Sequence, residues 1–428
     1  MRKAIALSTF LALMLPVPLA AATAQTLTLD AAIATALRAN PSYREALVAV
    51  DADAARVREA RAPLGPSLTV SDAYQYQDVV AKLATPFGPL PFSPNSTNLP
   101  LLAANYTLFD GGETAARLAS ASATLAASQS SARSARASLI VAVSAAYFDL
   151  AAALLGADVA DHSVSVAQAH VDLARRRLTA GQIPRAELLQ AQADLAGKRV
   201  DALTAHNAAA IDQNRLDAVM NVELGTQHDP VDRLETNVPD LDLDELIAAA
   251  RERRGDLAAA ELAVDASRHA VAAARAQRAP RIALAASEGN VQPIVVPGFH
   301  AQFTVGLTAV WQLFDNGYTD GRVAEAQSAV SQAQLELMRL QTDAELEVRQ
   351  AYLNLQTARL QVAAAERLVS VTAENQRLAE VRYRGGVGAA IELRDAELRD
   401  DSARQSLIDA LRSQRESLVS VRFAAGFL

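Results

Sequence analysis

The ionisable residues with the most regular spacing lie in two similar segments, "RLTAGQIPRAELLQAQ" from Arg177 and "RYRGGVGAAIELRDAE" from Arg382. In each, an arginine precedes a glycine by four residues and a glutamate follows that glycine by six. The matching residues are Arg177, Gly181 and Glu187, and Arg382, Gly386 and Glu392. Because glycine commonly ends a helix in the left-handed conformation, each segment predicts a turn between two helices. An acid near the start of the returning helix interacts favourably with the helix dipole. Ordinary helical hairpins explain the glycines but leave the recurring arginine and glutamate unexplained.

Ionic pairing is the only chemistry that these segments offer. The sequence has no HExxH motif and no nucleophile elbow, and "RGGVG" at Arg384 lacks the lysine of a phosphate-binding loop. Its six histidines have no recognised metal-ligand spacing, and the absence of cysteine excludes disulfides and thiolate ligands. The net charge of −8 argues against a nucleic-acid partner. We therefore expect a protein that is not an enzyme and that has no cofactor and no metal site.

The N-terminus predicts export. Arg2 and Lys3 precede an apolar run from Ala4 to Leu15, and small residues follow as far as Ala24. This order is typical of a secretory signal peptide, here residues 1–24, and the apolar run is too short for a membrane anchor. No later segment offers about 20 uninterrupted apolar residues, so a chain that crosses a membrane must do so with strands.

The remaining chain reads as a tandem duplication. "LTLDAAIATA" at Leu27 matches "LDLDELIAAA" at Leu241, and "YTLFDGGETAARLA" at Tyr106 matches "WQLFDNGYTDGRVA" at Trp311. The predicted units are a first structural repeat at 25–226, a linker at 227–240 and a second repeat at 241–428. Each contains a short capped helix, a rising helix, two strands, a long helix, a turn and a returning helix. Asp30 and Asp244 are the predicted N-caps.

The "LFDGG" and "LFDNG" phrases predict the points at which a strand passes into a long helix, since alternating apolar residues precede them and alanine-rich helical patterns follow. The junction residues are Phe109, Asp110 and Gly111 in the first repeat and Phe314, Asp315 and Gly317 in the second.

Four strands are predicted at about 67–77, 100–109, 281–288 and 301–313, because apolar and polar residues alternate there. Strands of about 10 residues with one apolar and one polar face suit a transmembrane barrel with a wet interior. A half-buried soluble sheet is the alternative. The Pro- and Asn-rich segment from Thr85 between the first two strands predicts an irregular external loop.

The barrel interpretation requires several copies. Four strands cannot close, and open edges are not tolerated in lipid. Three copies supply twelve strands, an even number that can enclose water. The helical patterns at 113–179 and 318–384 each extend about 100 Å at 1.5 Å per residue, which predicts a long helical structure below the barrel.

In its duplication, its two strand-to-helix junctions and its two glycine turns, the sequence resembles the TolC-like outer-membrane efflux protein family. The resemblance spans nearly the whole mature chain. It implies a mainly α fold with a transmembrane β-barrel portion. The full assembly would be a homotrimeric channel-tunnel with a twelve-stranded barrel in outer-membrane lipid on a periplasmic α-helical barrel. It further implies partnership with a periplasmic adaptor and an inner-membrane pump, which meet the helical turns.

The resemblance also implies which residues form the periplasmic aperture, namely Glu187, Tyr383, Glu392 and Asp395. The turn residues Arg177, Gly181, Arg382 and Gly386 are the implied adaptor contacts. Threefold symmetry would make each carboxylate a ring that favours cations, whereas the simpler interpretation is solvated acids at a helix start. Gly388 stands where the family has a bridging arginine, so Arg185, Arg384 or Arg394 would have to replace it or the latch would be weaker.

The predicted function is a passive exit duct of the outer membrane for efflux or secretion. The alternative is a soluble periplasmic adaptor or coiled-coil scaffold. Drugs, metals, lipids and polypeptides all remain open as substrates, because a wide conduit selects little.

Overall fold

A computed structural model describes residues 25–80, 82–91, 95–231, 234, 238–291 and 300–428. The predicted signal peptide, 1–24, lies outside the described residues. The helices are α1 (Leu29–Ala39), α2 (Pro41–Arg61), α3 (Glu113–Thr179), α4 (Arg185–Met220), α5 (Leu243–Arg253), α6 (Gly255–Ala276), α7 (Tyr318–Arg384) and α8 (Ala390–Ala424). The strands are β1 (Gln25–Leu27), β2 (Ser67–Tyr76), β3 (Lys82–Thr85), β4 (Gly88–Pro91), β5 (Ser96–Phe109), β6 (His228–Pro230), β7 (Arg281–Val291) and β8 (His300–Val310).

The fold is mainly helical, and its two longest helices, α3 and α7, have 67 residues each. At 1.5 Å per residue each is about 100 Å long. α3 packs against both α2 and α4, and α7 packs against both α6 and α8, so two shorter helices lie end to end beside each long one. The contacts α3–α6 and α3–α8 join the two halves.

One antiparallel sheet has the strand order β2-β5-β7-β8. Within the described part of the chain, β2 and β8 each have a single partner strand in this sheet, so both outer edges are open. Leu68, Val70 and Tyr74 on one face of β2 are exposed, as are Phe303, Val305 and Leu307 on β8. The sheet therefore has an unpaired edge at each side and an uncovered apolar face.

The apolar core around Tyr147 joins α1, α4 and α8 to α3. Tyr147 is fully buried on α3, and its hydroxyl donates to the Leu27 carbonyl. The stretch of α3 around it gives an 18-residue window of mean hydropathy 2.0, apolar and long enough to cross a membrane, but half of that window is buried inside the protein. Asp149 in this stretch is paired with Arg412 of α8 at 2.7 Å. We therefore assign this stretch to the helical core.

The predicted N-caps were wrong by two residues. Thr28 caps α1 through its hydroxyl, which accepts from the Ala31 amide, and Asp242 caps α5 by accepting from the amides of residues 244 and 245. Asp30 and Asp244 instead lie in the first turns of these helices, where a negative charge also interacts favourably with the dipole.

The prediction of an irregular loop from Thr85 was also wrong. β3 and β4 form a hairpin there, and the Thr85 hydroxyl donates to the Gly88 carbonyl at 2.6 Å across its turn. Proline lacks an amide donor, but Pro89 and Pro91 lie on a strand with one partner, where a missing donor costs nothing. Residues 92–94 lie outside the described chain.

The last strand is shorter than predicted, because β8 ends at Val310 and the predicted 301–313 strand continued further. Trp311 is already out of the ladder, and its indole Nε1 donates to the Arg278 carbonyl at 3.0 Å. Leu313 and Phe314 are exposed. The linker region holds β6, which pairs in parallel with β1.

Candidate functional site

The two helical turns have the same backbone geometry. Gly181 and Gly386 adopt φ values of +71° and +74°, and in each turn the next residue donates its amide to the carbonyl of Arg177 or Arg382. These are Schellman closures, in which a left-handed residue lets the chain reverse while the last helical carbonyls stay bonded. A side chain with a Cβ is strained at either glycine.

The turn that ends α3 is bonded to the turn that ends α7. Arg177 Nη2 donates to the carbonyls of Tyr383 and Arg384 at 3.2 and 3.4 Å, and its guanidinium lies 4.7 Å from the Tyr383 ring centroid. The Tyr383 hydroxyl donates to Glu187 Oε1 at 3.3 Å. Burial raises the pKa of Tyr383, and the charge of Glu187 reinforces this, so the hydroxyl remains a donor throughout the neutral range.

The other predicted aperture acids lie apart from this cluster. Glu392 is exposed and pairs with Arg382 within its own turn at 3.5 Å. Asp395 is exposed, and it forms no ion pair in the described part of the chain. The structure thus brings Glu187 and Tyr383 together, whereas Glu392 and Asp395 face solvent.

Close packing explains why position 388 is glycine. A Cβ at this position would lie 3.0 Å from Arg382 Cβ and 3.1 Å from the Tyr383 amide nitrogen, closer than such atoms normally approach. Of the arginines proposed as substitutes, Arg394 reaches Asp194 of α4 at 3.4 Å, while Arg384 pairs with Glu380 on its own helix. The strongest cross-turn contact comes from Arg177, which sequence reasoning assigned to adaptor contact.

Further polar bridges continue along the same line between the two hairpins, where the first hairpin is α3 with α4 and the second is α7 with α8. Lys198 pairs with Asp401 at 2.6 Å, and His170 pairs with Glu397 at 2.6 Å. They border a cavity of about 690 Å³ between the hairpins. The sequence did not reveal these bridges because their partners are more than 200 residues apart.

The two strand-to-helix junctions are nearly identical. Asp110 accepts from the amides of Gly112 and Thr114 at 3.0 and 2.8 Å, and Asp315 accepts from those of Gly317 and Thr319 at 3.1 and 2.8 Å. Gly112 and Gly317 have φ values of +87° and +84°. Hydrogen bonds from Thr319 hold the pKa of Asp315 below its ordinary value. Each aspartate therefore caps its long helix as a carboxylate.

The first junction differs from the second at one position. At Gly111 a Cβ would lie 2.3 Å from Ala279 Cβ, because the end of α6 packs against this turn. Asn316 holds the matching place in the second junction and adopts a φ of +53°, which asparagine tolerates better than most residues. Only the first junction is packed closely enough to require glycine for space.

No group of three or more His, Asp or Glu side chains in the described residues is arranged to hold a metal ion. A long helical shaft with turns at one end and an apolar-faced sheet at the other defines the protein class as an outer-membrane channel with a periplasmic helical portion. The family described as "Outer membrane efflux protein" matches residues 32–222 and 246–427. The chain belongs to this family, and the resemblance inferred from the sequence is confirmed.

Curated relatives agree with this assignment. Protein CyaE of Bordetella pertussis is 28% identical over 406 residues, which cover 93% of this chain and 83% of the relative. The toluene efflux pump outer membrane protein TtgC of Pseudomonas putida is 26% identical over 411 residues, covering 92% and 82%. The comparisons do not favour the adaptor or scaffold alternative.

Solved structures share the fold. The outer membrane channel CmeC of Campylobacter jejuni superposes with a TM-score of 0.78 at 18% identity, covering 93% of this chain and 85% of that one. The outer membrane protein VceC of Vibrio cholerae gives a TM-score of 0.76 at 20% identity, covering 93% and 96%.

Proposed function

We propose that three copies of this chain form a passive exit duct, in which twelve strands cross the outer membrane and the helices continue the duct through the periplasm. An adaptor contacts the turns at Gly181 and Gly386, and an inner-membrane pump supplies the energy. Because no catalytic constellation accompanies the turns, direction must come from these partners.

This proposal rests on a difference in exposure between two helix faces that the duplication relates. The two repeats, taken as 25–226 and 241–428, are offset by 205 residues along the long and returning helices. In the α3–α8 contact within the chain, Phe148 and Ile408 are 5% and 8% exposed. Their counterparts Leu353 on α7 and Leu203 on α4 are equally apolar yet 62% and 72% exposed. An apolar face left bare on each helix fits a second copy that repeats the α3–α8 contact as α7 against α4.

The sheet supports the same arrangement. β2 and β5 pair in the register Ser67 to Asn105, and β7 and β8 pair in the matching register Arg281 to Val310. The β5–β7 contact would recur between β8 and the β2 of the next copy. Closing the sheet this way removes both open edges, which lipid does not tolerate.

The proposal is tested by introducing a charge at the proposed contact between copies. Leu353→Glu or Leu203→Glu places a carboxylate in that contact, and we expect native mass spectrometry in detergent to show loss of the trimer. Thr204→Glu is the matched control, because its counterpart Asp409 remains exposed in the intact chain. A trimer that survives both leucine variants, or a wild-type chain that is monomeric in detergent, contradicts the proposal.

Conduction is measured separately. Purified trimer in a planar bilayer should show a low resting conductance, with discrete openings when an adaptor is added. Wild-type trimers that never conduct, with or without an adaptor, would contradict the role as a duct even if the trimer itself is correct.

A further inference from the structure

Ion pairs cross the seam between the two hairpins of one chain, beside its apolar contacts. His170 on α3 pairs with Glu397 on α8 at 2.6 Å, and Asp149 on α3 pairs with Arg412 on α8 at 2.7 Å. Across the bordering cavity, Lys198 pairs with Asp401 at 2.6 Å. We call this set of contacts between α3 or α4 and α8 the within-chain seam.

The proposed seam between copies has no such pairs. At the offset of 205 residues, His170 and Glu397 correspond to Asn375 and Gln192. Both are exposed in the single chain and are neutral amides at every physiological pH. The duplication thus replaces a titrating pair by a pair of amides of similar reach.

Two further bridges follow the same rule, while the longer pair of Arg394 with Asp194, at 3.4 Å, corresponds to Leu189 and Arg399 and so also loses its partner charge. The pair of Asp149 and Arg412 corresponds to Asn354 and Asn207, and the pair of Lys198 and Asp401 corresponds to Ala403 and Ala196. At these three places, ion pairs link the hairpins within each chain, whereas amides or alanines hold the corresponding places between copies.

His170 is the member of the within-chain seam whose charge changes near neutral pH. The His170 side chain is 25% exposed and the Glu397 side chain is 18% exposed, so solvent screens the pair only partly. The hydrogen bond with Glu397 raises the pKa of His170, burial opposes the rise, the charges of Glu397 and Glu380 reinforce it and that of Arg384 opposes it. Other charged groups around the same cavity are Glu187, Asp194, Lys198, Asp201, Arg394, Asp400 and Asp401.

We propose that protonation of His170 locks the periplasmic end of the channel along the within-chain seam, so that this end closes more tightly in acid and loosens as the pH rises. The proposal rests on the trimeric duct proposed above. Since the paired state binds the proton more tightly than the separated state, its contribution is complete below the ordinary histidine pKa of about 6.5 and is lost as the pH rises through the higher value of the paired state.

The experiment compares wild type with His170→Asn/Glu397→Gln, which gives the within-chain seam the same residue types that the seam between copies already has. Conductance of purified trimers is recorded in planar bilayers at about pH 5.5 and about pH 8.5, on either side of the ordinary histidine pKa. We expect wild type to conduct several-fold more at the higher pH, and the double variant to lose that ratio. Each unit of pKa difference between closed and open states changes the equilibrium about tenfold.

His162→Gln is the matched control, because His162 is on the same helix and lines the same cavity. It should keep the wild-type pH ratio. Glu392 and Asp395 are present in all three proteins, so they do not account for a difference between them. The thermal stability of each trimer shows that the variants are folded.

The outcomes separate the two proposals. A chain that forms no conducting trimer overturns both. A conducting trimer with equal conductance at the two pH values overturns the pH lock alone, as does a double variant that keeps the wild-type ratio. If His162→Gln loses the conductance ratio between the two pH values and the double variant keeps it, a residue other than His170 titrates, and this result also overturns the pH lock.

Discussion

The guanidinium of Arg177 lies 4.7 Å from the ring centroid of Tyr383, which joins the turn after α3 to the turn after α7 of the same chain. The same arginine donates to two carbonyls of the second turn. Its counterpart Arg382 pairs only with Glu392 within its own turn among the described residues. A single arginine therefore accounts for most of the contact between the turns.

Replacing Arg177 should loosen the closed end of the channel. A hydrogen bond from a charged group contributes about 1.5–3 kcal/mol, so Arg177→Ala should raise the resting conductance about tenfold or more. Arg382→Ala is the control and should change it little, because the Arg382–Glu392 pair is exposed. Planar-bilayer recording measures both, and equal effects of the two variants would contradict the role of Arg177.

Gly388 should not tolerate a side chain. Gly388→Ala places its Cβ about 3 Å from Arg382 and the Tyr383 backbone, and overpacking of this kind costs about 1–3 kcal/mol. We expect a lower thermal dissociation temperature of the trimer and a higher resting conductance.

Gly197→Ala is the matched control for Gly388→Ala. Gly197 lies inside α4, and no atom lies within 4 Å of the point that an added Cβ would occupy, so alanine should stabilise the helix by about 0.5–1 kcal/mol. A Gly388→Ala protein as stable as wild type would show that the turn relaxes without cost.

Asp110 and Asp315, two residues before the N-cap glycines, should stabilise the starts of α3 and α7 only when ionised. Asp315→Ala removes the acceptor of the Gly317 and Thr319 amides and should speed hydrogen exchange at the first amides of α7. Because the pKa of Asp315 is lowered, the wild-type cap is complete above about pH 4 and weakens as the pH falls through the lower value. Asp315→Asn should keep part of the protection without this pH dependence. Unchanged exchange in Asp315→Ala would contradict the capping role.

Asp400 is the buried charge of the second hairpin. It is 2% exposed, accepts from the Thr372 hydroxyl at 2.9 Å and is bonded by Arg404 at 2.6 Å. Asp400→Leu alone leaves the Thr372 hydroxyl with only the Val369 carbonyl, at 3.2 Å, and removes the carboxylate that Arg404 bonds, so it should cost about 1–3 kcal/mol.

The first hairpin supplies the compensating pair for Asp400, since Ala167 and Leu195 stand at the matching positions. Thr372→Ala/Asp400→Leu should therefore recover most of the lost stability, because replacing both hydrogen-bonded partners by apolar groups is often nearly neutral and the Arg404 side chain, 44% exposed, can turn to solvent. Thermal dissociation of the trimer measures both variants. A double variant less stable than Asp400→Leu would contradict this account.

The sequence predicted what depends on local pattern. The glycine turns and the aspartate junctions were readable because each consists of a few adjacent residues with one steric or hydrogen-bonding demand. The β3–β4 hairpin was missed because Pro89 and Pro91 read as strand breakers, although a peripheral strand accepts them. The N-caps were misplaced because two possible acceptors lie two residues apart at each helix start, Thr28 and Asp30 in α1 and Asp242 and Asp244 in α5.

Contacts between the hairpins were beyond sequence reasoning for a different reason. Arg177 and Tyr383 are far apart in the chain, and which of several arginines reaches the tyrosine depends on how the hairpins pack. The within-chain seam likewise depends on packing, since His170 and Glu397 are 227 residues apart. The duplication then indicated which residues hold the corresponding places.

The unpaired edges of β2 and β8 have a consequence for the assembly of the protein. A newly exported copy has two rows of unpaired backbone amides and carbonyls beside an apolar surface. It passes through water before it meets other copies. Such a surface recruits any extended peptide. In the trimer proposed above each of these edges pairs with a neighbouring copy, so the strands of a single copy must stay unfolded or shielded until three copies meet at the membrane.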